Sequence, residues 1–345
     1  MPYVAVNDVE LFYELHCSKH GQLEGECRSC PCRHSYRILL VMGFQARGEA
    51  WRFNLDALLS FKPPGSNEEV LCCWFDNRGV GKSSHPPRRE DYSTVKMAKD
   101  ALALMDFLGW EKAHVFGHSM GGMISCKVAA MAPERIHSLA LLSVTGGRWQ
   151  AVASIVKRLP GLVKHGVATA RTAEQRARAM LYCHFSRMWL KEEAKTQDGR
   201  TSRRKEVLFE EYLTDIEATS TSAPSSRGAE GQMRAVLYHT VTKREAEKIR
   251  KGGFPILVIH GRKDVIASIH FAEKLAKRLR ATSVFTSAGH FINRESVDEV
   301  NHALLALLAR VHNPSPSPGR AGSGPAEAAA RTAGAAPDGA GEGAA

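Results

Sequence analysis

The chain has 345 residues, 43% apolar and 24% charged, the composition of a globular protein long enough to bury a large core. No apolar run reaches 18 residues and the opening Met1-Pro2-Tyr3-Val4-Ala5-Val6 lacks the regions of a signal peptide, so neither a transmembrane helix nor a secretory leader is expected. Of the net charge of +11, +9 falls between Arg148 and Lys251, yet there is no helix-turn-helix, RNA-binding signature or zinc-finger spacing and aromatics are only 7%; a nucleic-acid partner is not expected.

Residues 3–15 alternate through Val4, Val6, Val9, Leu11 and Tyr13, which predicts an antiparallel hairpin turned at Asn7-Asp8. Residues 16–35 break that pattern with His16, Cys17, His20, Cys27, Cys30, Cys32 and His34. The thiolates of Cys27, Cys30 and Cys32 have the chemistry to hold zinc, but no second Cys-x2-Cys pair follows, and an exposed insertion loop is the expectation. Cys72 and Cys73 are neighbours in a predicted strand and Cys126 lies in a predicted helix. The eight cysteines form no disulfide framework, and a reducing cytoplasm is the compartment they suggest. The continuous apolar run Arg37–Met42 reads as a strand buried on both faces and ends in Gly43-Phe44-Gln45.

After a helical stretch from Trp51 to Phe61, Val70–Phe75 reads as the next buried strand. It leads into Asp76-Asn77-Arg78-Gly79-Val80-Gly81-Lys82-Ser83-Ser84, where Gly81-Lys82-Ser83 imitates the second half of a phosphate-binding loop. The first glycine of that motif would have to stand where Asp76 is, so a nucleotide is not expected. Met97, Ala101, Leu104, Met105 and Leu108 share one helical face. Then Val115–Gly122 reads as strand, tight turn and helix around Gly117-x-Ser119-x-Gly121. A serine on so sharp a turn presents its hydroxyl outward only if the residues two before and two after carry no bulk, and the following helix points its free N–H groups at any oxyanion formed there.

A strand at 137–144 follows, and the alternation of strands and helices predicts a parallel sheet with helices on both faces. Residues 148–252 interrupt it. They read as helix-rich, with helices near 151–158, 172–195, 203–218 and 229–250, and as a cap over the sheet's carboxyl edge. The alternation resumes at 255–261, with a helix at 268–279, a strand at 282–286 and a last helix over 296–311. Residues 313–345, rich in Pro, Gly, Ala and Ser, read as a disordered tail. The expected organisation is therefore a core over 1–147 and 253–312, a cap over 148–252 and the tail.

A serine hydroxyl attacks well only when an imidazole takes its proton and a carboxylate fixes that imidazole. In a parallel sheet both partners belong in loops at the carboxyl ends of later strands. Asp264, in Gly261-Arg262-Lys263-Asp264, and His290, in Ser287-Ala288-Gly289-His290, stand in such places. The backbone N–H groups of Met120 and Phe44 are the candidate oxyanion donors. His118 reads as packing, and His260 and His270 as structural.

Taken together, Asp76–Ser84, Gly117-His118-Ser119-Met120-Gly121-Gly122, His260–Asp264 and Gly289-His290 resemble the α/β-hydrolase fold superfamily, and most closely the intracellular AB-hydrolase-1 type of plants and algae. The resemblance covers about residues 3–311. It implies an eight-stranded, mostly parallel sheet and the triad Ser119, Asp264, His290. One departure is Met42-Gly43 where many members have His-Gly; the backbone donor is unaffected. The function expected is a serine hydrolase, of carboxylesterase or lipase type, acting on a small or medium apolar ester without metal or organic cofactor. The alternative is a ligand receptor that keeps the fold with little turnover. Peripheral contact with a membrane through the basic cap stays open.

Overall fold

The computed structural model describes residues 2–312 apart from 24–34, 64, 66, 148–149, 151–155, 157–158, 167–168, 197 and 221–225. The expectations about Cys27, Cys30 and Cys32, the tail 313–345 and most of the helix at 151–158 lie outside the described residues. Among the described residues no helix is long and apolar enough to cross a membrane.

Strands β1 (Tyr3–Val6) and β2 (Val9–Cys17) form the expected hairpin, with Val6 opposite Val9. The alternation carries on past residue 15: His16 and Cys17 belong to β2, and a short β3 (Gly21–Leu23) turns back to pair with them. There follow β4 (Ser35–Val41), α1 (Arg52–Leu59), β5 (Glu69–Phe75), α2 (Thr94–Phe107), β6 (Ala113–His118), α3 (Met120–Met131) and β7 (Ile136–Leu142). The next stretch holds α4 (Ala173–His184), a small ribbon of β8 (Glu193–Lys195) and β9 (Thr201–Arg203), α5 (Arg204–Ser220), α6 (Ser226–Tyr238) and α7 (Lys243–Lys251). Last come β10 (Ile256–Gly261), α8 (Ile269–Leu279), β11 (Thr282–Thr286), a single turn α9 (Ile292–Glu295) and α10 (Val297–His312).

The main sheet runs β1-β2-β5-β4-β6-β7-β10-β11, eight strands in line with β3 added to β2. From β5 to β11 every pairing is parallel, and β2 alone runs against the rest, antiparallel to its neighbours β1, β3 and β5. Successive residues of each central strand point to opposite faces. Leu39, Val41, Val115, Leu139, Leu141 and Val258 thus enter the layer packed under α2, α3 and α8. Ile38, Leu40, Phe116, Ala140, Leu142 and Ile259 enter the layer packed under α1 and α10. Two covered faces explain why these strands read as unbroken apolar runs.

Candidate active site

Four carboxyl-end turns of the parallel strands supply the site. Ser119 follows β6 with φ +53° and ψ −119°, a conformation that costs a non-glycine residue about 1–3 kcal/mol. Packing holds it there. The Ser119 N–H donates to Leu142 O at 2.8 Å. A Cβ on Gly117 would lie 2.4 Å from Gly121 O, and one on Gly121 would lie 2.1 Å from Val41 O. The two glycines are therefore demanded by backbone running against backbone, which is stronger than the loss of bulk read from the spacing alone.

The structure brings Ser119, His290 and Asp264 together. His290 Nε2 lies 2.8 Å from Ser119 Oγ, and His290 Nδ1 lies 2.7 Å from Asp264 Oδ2. The carboxylate partner fixes the proton on Nδ1 and leaves the Nε2 lone pair facing the hydroxyl. Asp264 is itself oriented, since its Oδ1 accepts from the Ile266 and Ala267 N–H groups, both at 2.8 Å. Burial alone would raise the Asp264 carboxyl, but the neighbouring His290 and the bonds it accepts hold it below the ordinary value. His260, buried behind it, places Nε2 3.4 Å from Asp264 Oδ2 and 3.0 Å from Ala267 O.

Gly43 passes close over the serine: a Cβ there would meet Ser119 Cβ at 3.0 Å. That approach brings the Gly43-Phe44 turn beside the elbow. Met120 is the first residue of α3, where an N–H has no partner within the helix. The turn after β4 is tied down by Asn77 Nδ2, which donates to Met42 O at 2.9 Å. The Gln45 N–H donates to Gln232 Oε1 at 2.8 Å. Gln232, wholly buried on α6, also donates to Arg78 O. Arg78 is buried as well and makes a two-pronged pair with Asp100 at 2.6 and 2.8 Å. The glycine-rich loop is filled by its own acid: Asp76 accepts from the Gly48 and Lys82 N–H groups at 2.8 and 2.9 Å. A carboxylate sits where a phosphate would have to bind.

Sequence reasoning missed the residues that hold His290 in place. The His290 carbonyl oxygen accepts from His118 Nε2 at 2.9 Å and from Ser143 Oγ at 2.7 Å. His118 is packed, and it is packed onto the loop of His290. Ser143 sits at φ +52° just beyond β7. Glu295 accepts from the Gly289 and Ser186 N–H groups, both at 2.9 Å, and from the Ser186 hydroxyl. The Phe291 N–H donates to His184 O at 2.8 Å. No local motif marks Ser143 or Glu295; each acts through a contact far away in sequence. Burial pushes the His118 and His184 imidazoles down to about 3, so both stay neutral beside His290.

Two hollows on the surface lie elsewhere, one of about 340 Å³ at Gly146, Gln150, Lys274, Leu275, Lys277 and Arg278, one of about 540 Å³ between β11 and α10. Neither is lined by Ser119. Among the described residues no group of three or more His, Cys, Asp and Glu could hold a metal ion.

Comparison with known proteins agrees with this architecture. The alpha/beta hydrolase fold family model matches residues 36–296, and the chain belongs to that family. It is 29% identical over 273 residues to the dihydrolipoyllysine-residue acetyltransferase component of the acetoin cleaving system of Pseudomonas putida, a match covering 79% of this chain and 63% of that protein. The chain thus spans less than two thirds of that relative's length. It is 33% identical over 242 residues to a Mycobacterium tuberculosis protein named as a non-heme bromoperoxidase, covering 70% of this chain and 83% of the other. Among solved structures, the enol-lactonase of Burkholderia xenovorans superposes with a TM-score of 0.64 at 24% identity, covering 89% of this chain and 99% of that one.

Proposed function

We propose that the chain is a serine hydrolase of carboxylesterase or lipase type, acting through an acyl-enzyme on small or medium apolar esters. The observation that carries this reading is the unbroken hydrogen-bonded line from Ser119 Oγ through the His290 ring to Asp264. Ser119 Oγ bonds to the ester carbonyl carbon while its proton passes to His290 Nε2. Asp264, accepting the Nδ1 proton, stabilises the imidazolium. The Met120 and Phe44 N–H groups receive the oxyanion. Collapse of the tetrahedral adduct breaks the carbonyl–alkoxy bond, and His290 returns its proton to the departing alcohol. Water, deprotonated by the same imidazole, then releases the acid and frees Ser119. The enol-lactonase named above is a protein of this fold whose name denotes opening of an ester ring, and the acetyltransferase component is named for acyl transfer. Residues 148–252 act in this reading as a cap that selects the substrate, because they join β7 to β10 beside the carboxyl ends where the chemistry sits.

The test is hydrolysis of p-nitrophenyl esters graded by chain length, with labelling by a fluorophosphonate. Ser119→Ala, His290→Ala and Asp264→Asn should each lower kcat by roughly 10⁴–10⁶-fold, with effects that do not multiply, and the adduct should map to Ser119. A Ser119→Ala protein with wild-type turnover ends the reading. A wild type that binds the esters saturably without product favours the receptor instead.

A further inference from the structure

We propose that the outer edge of β11 and the outer face of α10 form a self-complementary interface through which two copies of this chain associate about a two-fold axis. β11 ends the sheet, and among the described residues it pairs with β10 alone. Its sequence Thr282-Ser283-Val284-Phe285-Thr286 has none of the lysines or prolines that usually blunt an open edge. Beside that edge runs the groove of about 540 Å³, with Val284, Ala303, Ala306 and Leu307 in its lining.

Charge decides what fits there. α10 runs antiparallel to β11: Arg310 Nη1 donates to Thr282 Oγ1 at 2.8 Å, while Thr286 lines the same groove as Asp298 and Glu299 at the other end. One end is basic and the other acidic, and among the described residues neither acid makes an ion pair with a base. A two-fold axis through Val284 pairs Thr282 of one copy with Thr286 of the other. On the helix, the position midway between residues 298 and 310 is Leu304, so the same axis sets Asp298 and Glu299 against the second copy's Arg310. Edge pairing, apolar contact and opposite charge then agree on one register, as an isologous interface requires. A five-residue edge alone is too small for a stable dimer, which buries about 1,200–2,000 Å² in all, so the face of α10 must take part.

The experiment is light scattering on the full chain over a micromolar dilution series. A dimer is expected. Val284→Lys should make it monomeric. Arg310→Glu, at an exposed position that threatens the fold less, should weaken dimerisation at least tenfold, and Arg310→Glu with Asp298→Lys and Glu299→Lys should restore it. A monomeric wild type overturns the proposal, as does a dimer indifferent to Arg310→Glu or one that the triple variant fails to restore. A protein that dimerises only once residues 313–345 are removed overturns it too.

Discussion

Three groups fix the backbone around His290 from different directions: Glu295 at Gly289, the His118–Ser143 pair at the His290 carbonyl, and His184 at Phe291. An imidazole on a loop is only as well aimed as that backbone. Removing the Glu295 side chain would strand the Gly289 and Ser186 N–H groups, at about 1–3 kcal/mol each. Glu295→Ala should therefore lower kcat by up to ~10²-fold through misplacement of the base, with KM for the same ester changed far less. Glu295→Gln keeps an oxygen for both N–H groups and can donate to the Ser186 hydroxyl, so it should recover most of the rate. Equal losses in the two variants would show that the carboxylate acts through its charge and not through placement. Glu295 also explains a limit of sequence reading. Ser119, Asp264 and His290 were legible because each follows a strand in a recognisable turn, whereas Glu295 sits on a four-residue helix and acts on Ser186, 109 positions away.

Between elements, legibility followed burial. The central strands, covered on both faces, announced themselves as apolar runs, and α2 was readable from its apolar stripe. The stretch 172–195 was read as one helix. It ends at His184, because Phe185 turns extended into the core of α4 and α5 and Glu193–Lys195 pairs with Thr201–Arg203 in a ribbon too short to show alternation. The stretch 229–250 is two helices. Thr242 and Glu245 form a capping box that starts α7 afresh, and the Val241 N–H is taken by Gly146 O. The same region touches the site through Gln232 of α6, the acceptor for the Gln45 N–H in the turn that carries Phe44. Gln232→Leu keeps the volume but leaves that donor and Arg78 O without their partner. It should lower kcat several-fold while Ser119 still labels, and an unchanged kcat would remove α6 from any part in oxyanion binding.

For the molecule as a whole, acid should be the weak point. Burial pushes His118, His184 and His239 each down to about 3, whereas an unfolded histidine takes its proton near 6.5. The folded state therefore forgoes protons that the unfolded chain binds. The stability is intact above about 6.5 and is lost as pH falls toward 3, at most about 1.4 kcal/mol per pH unit for each histidine. Asp264, held below its ordinary value, adds a loss of the same sign at lower pH. Tm should drop steeply from pH 6.5 to 5, and His239→Gln, remote from the serine, should flatten that slope. A Tm constant across this window would mean that these imidazoles are protonated in the folded state.

Ser119 follows β6, while its hydrogen-bonded partners Asp264 and His290 follow β10 and β11, on the far side of residues 148–252. During synthesis the chain therefore presents its nucleophile long before the groups that activate it exist. A product stopped before residue 253 would carry Ser119 without a base, and β7 would be left as a bare parallel edge. On the proposed reading such fragments should be chemically silent and prone to stick to one another, and turnover should require a chain translated past His290.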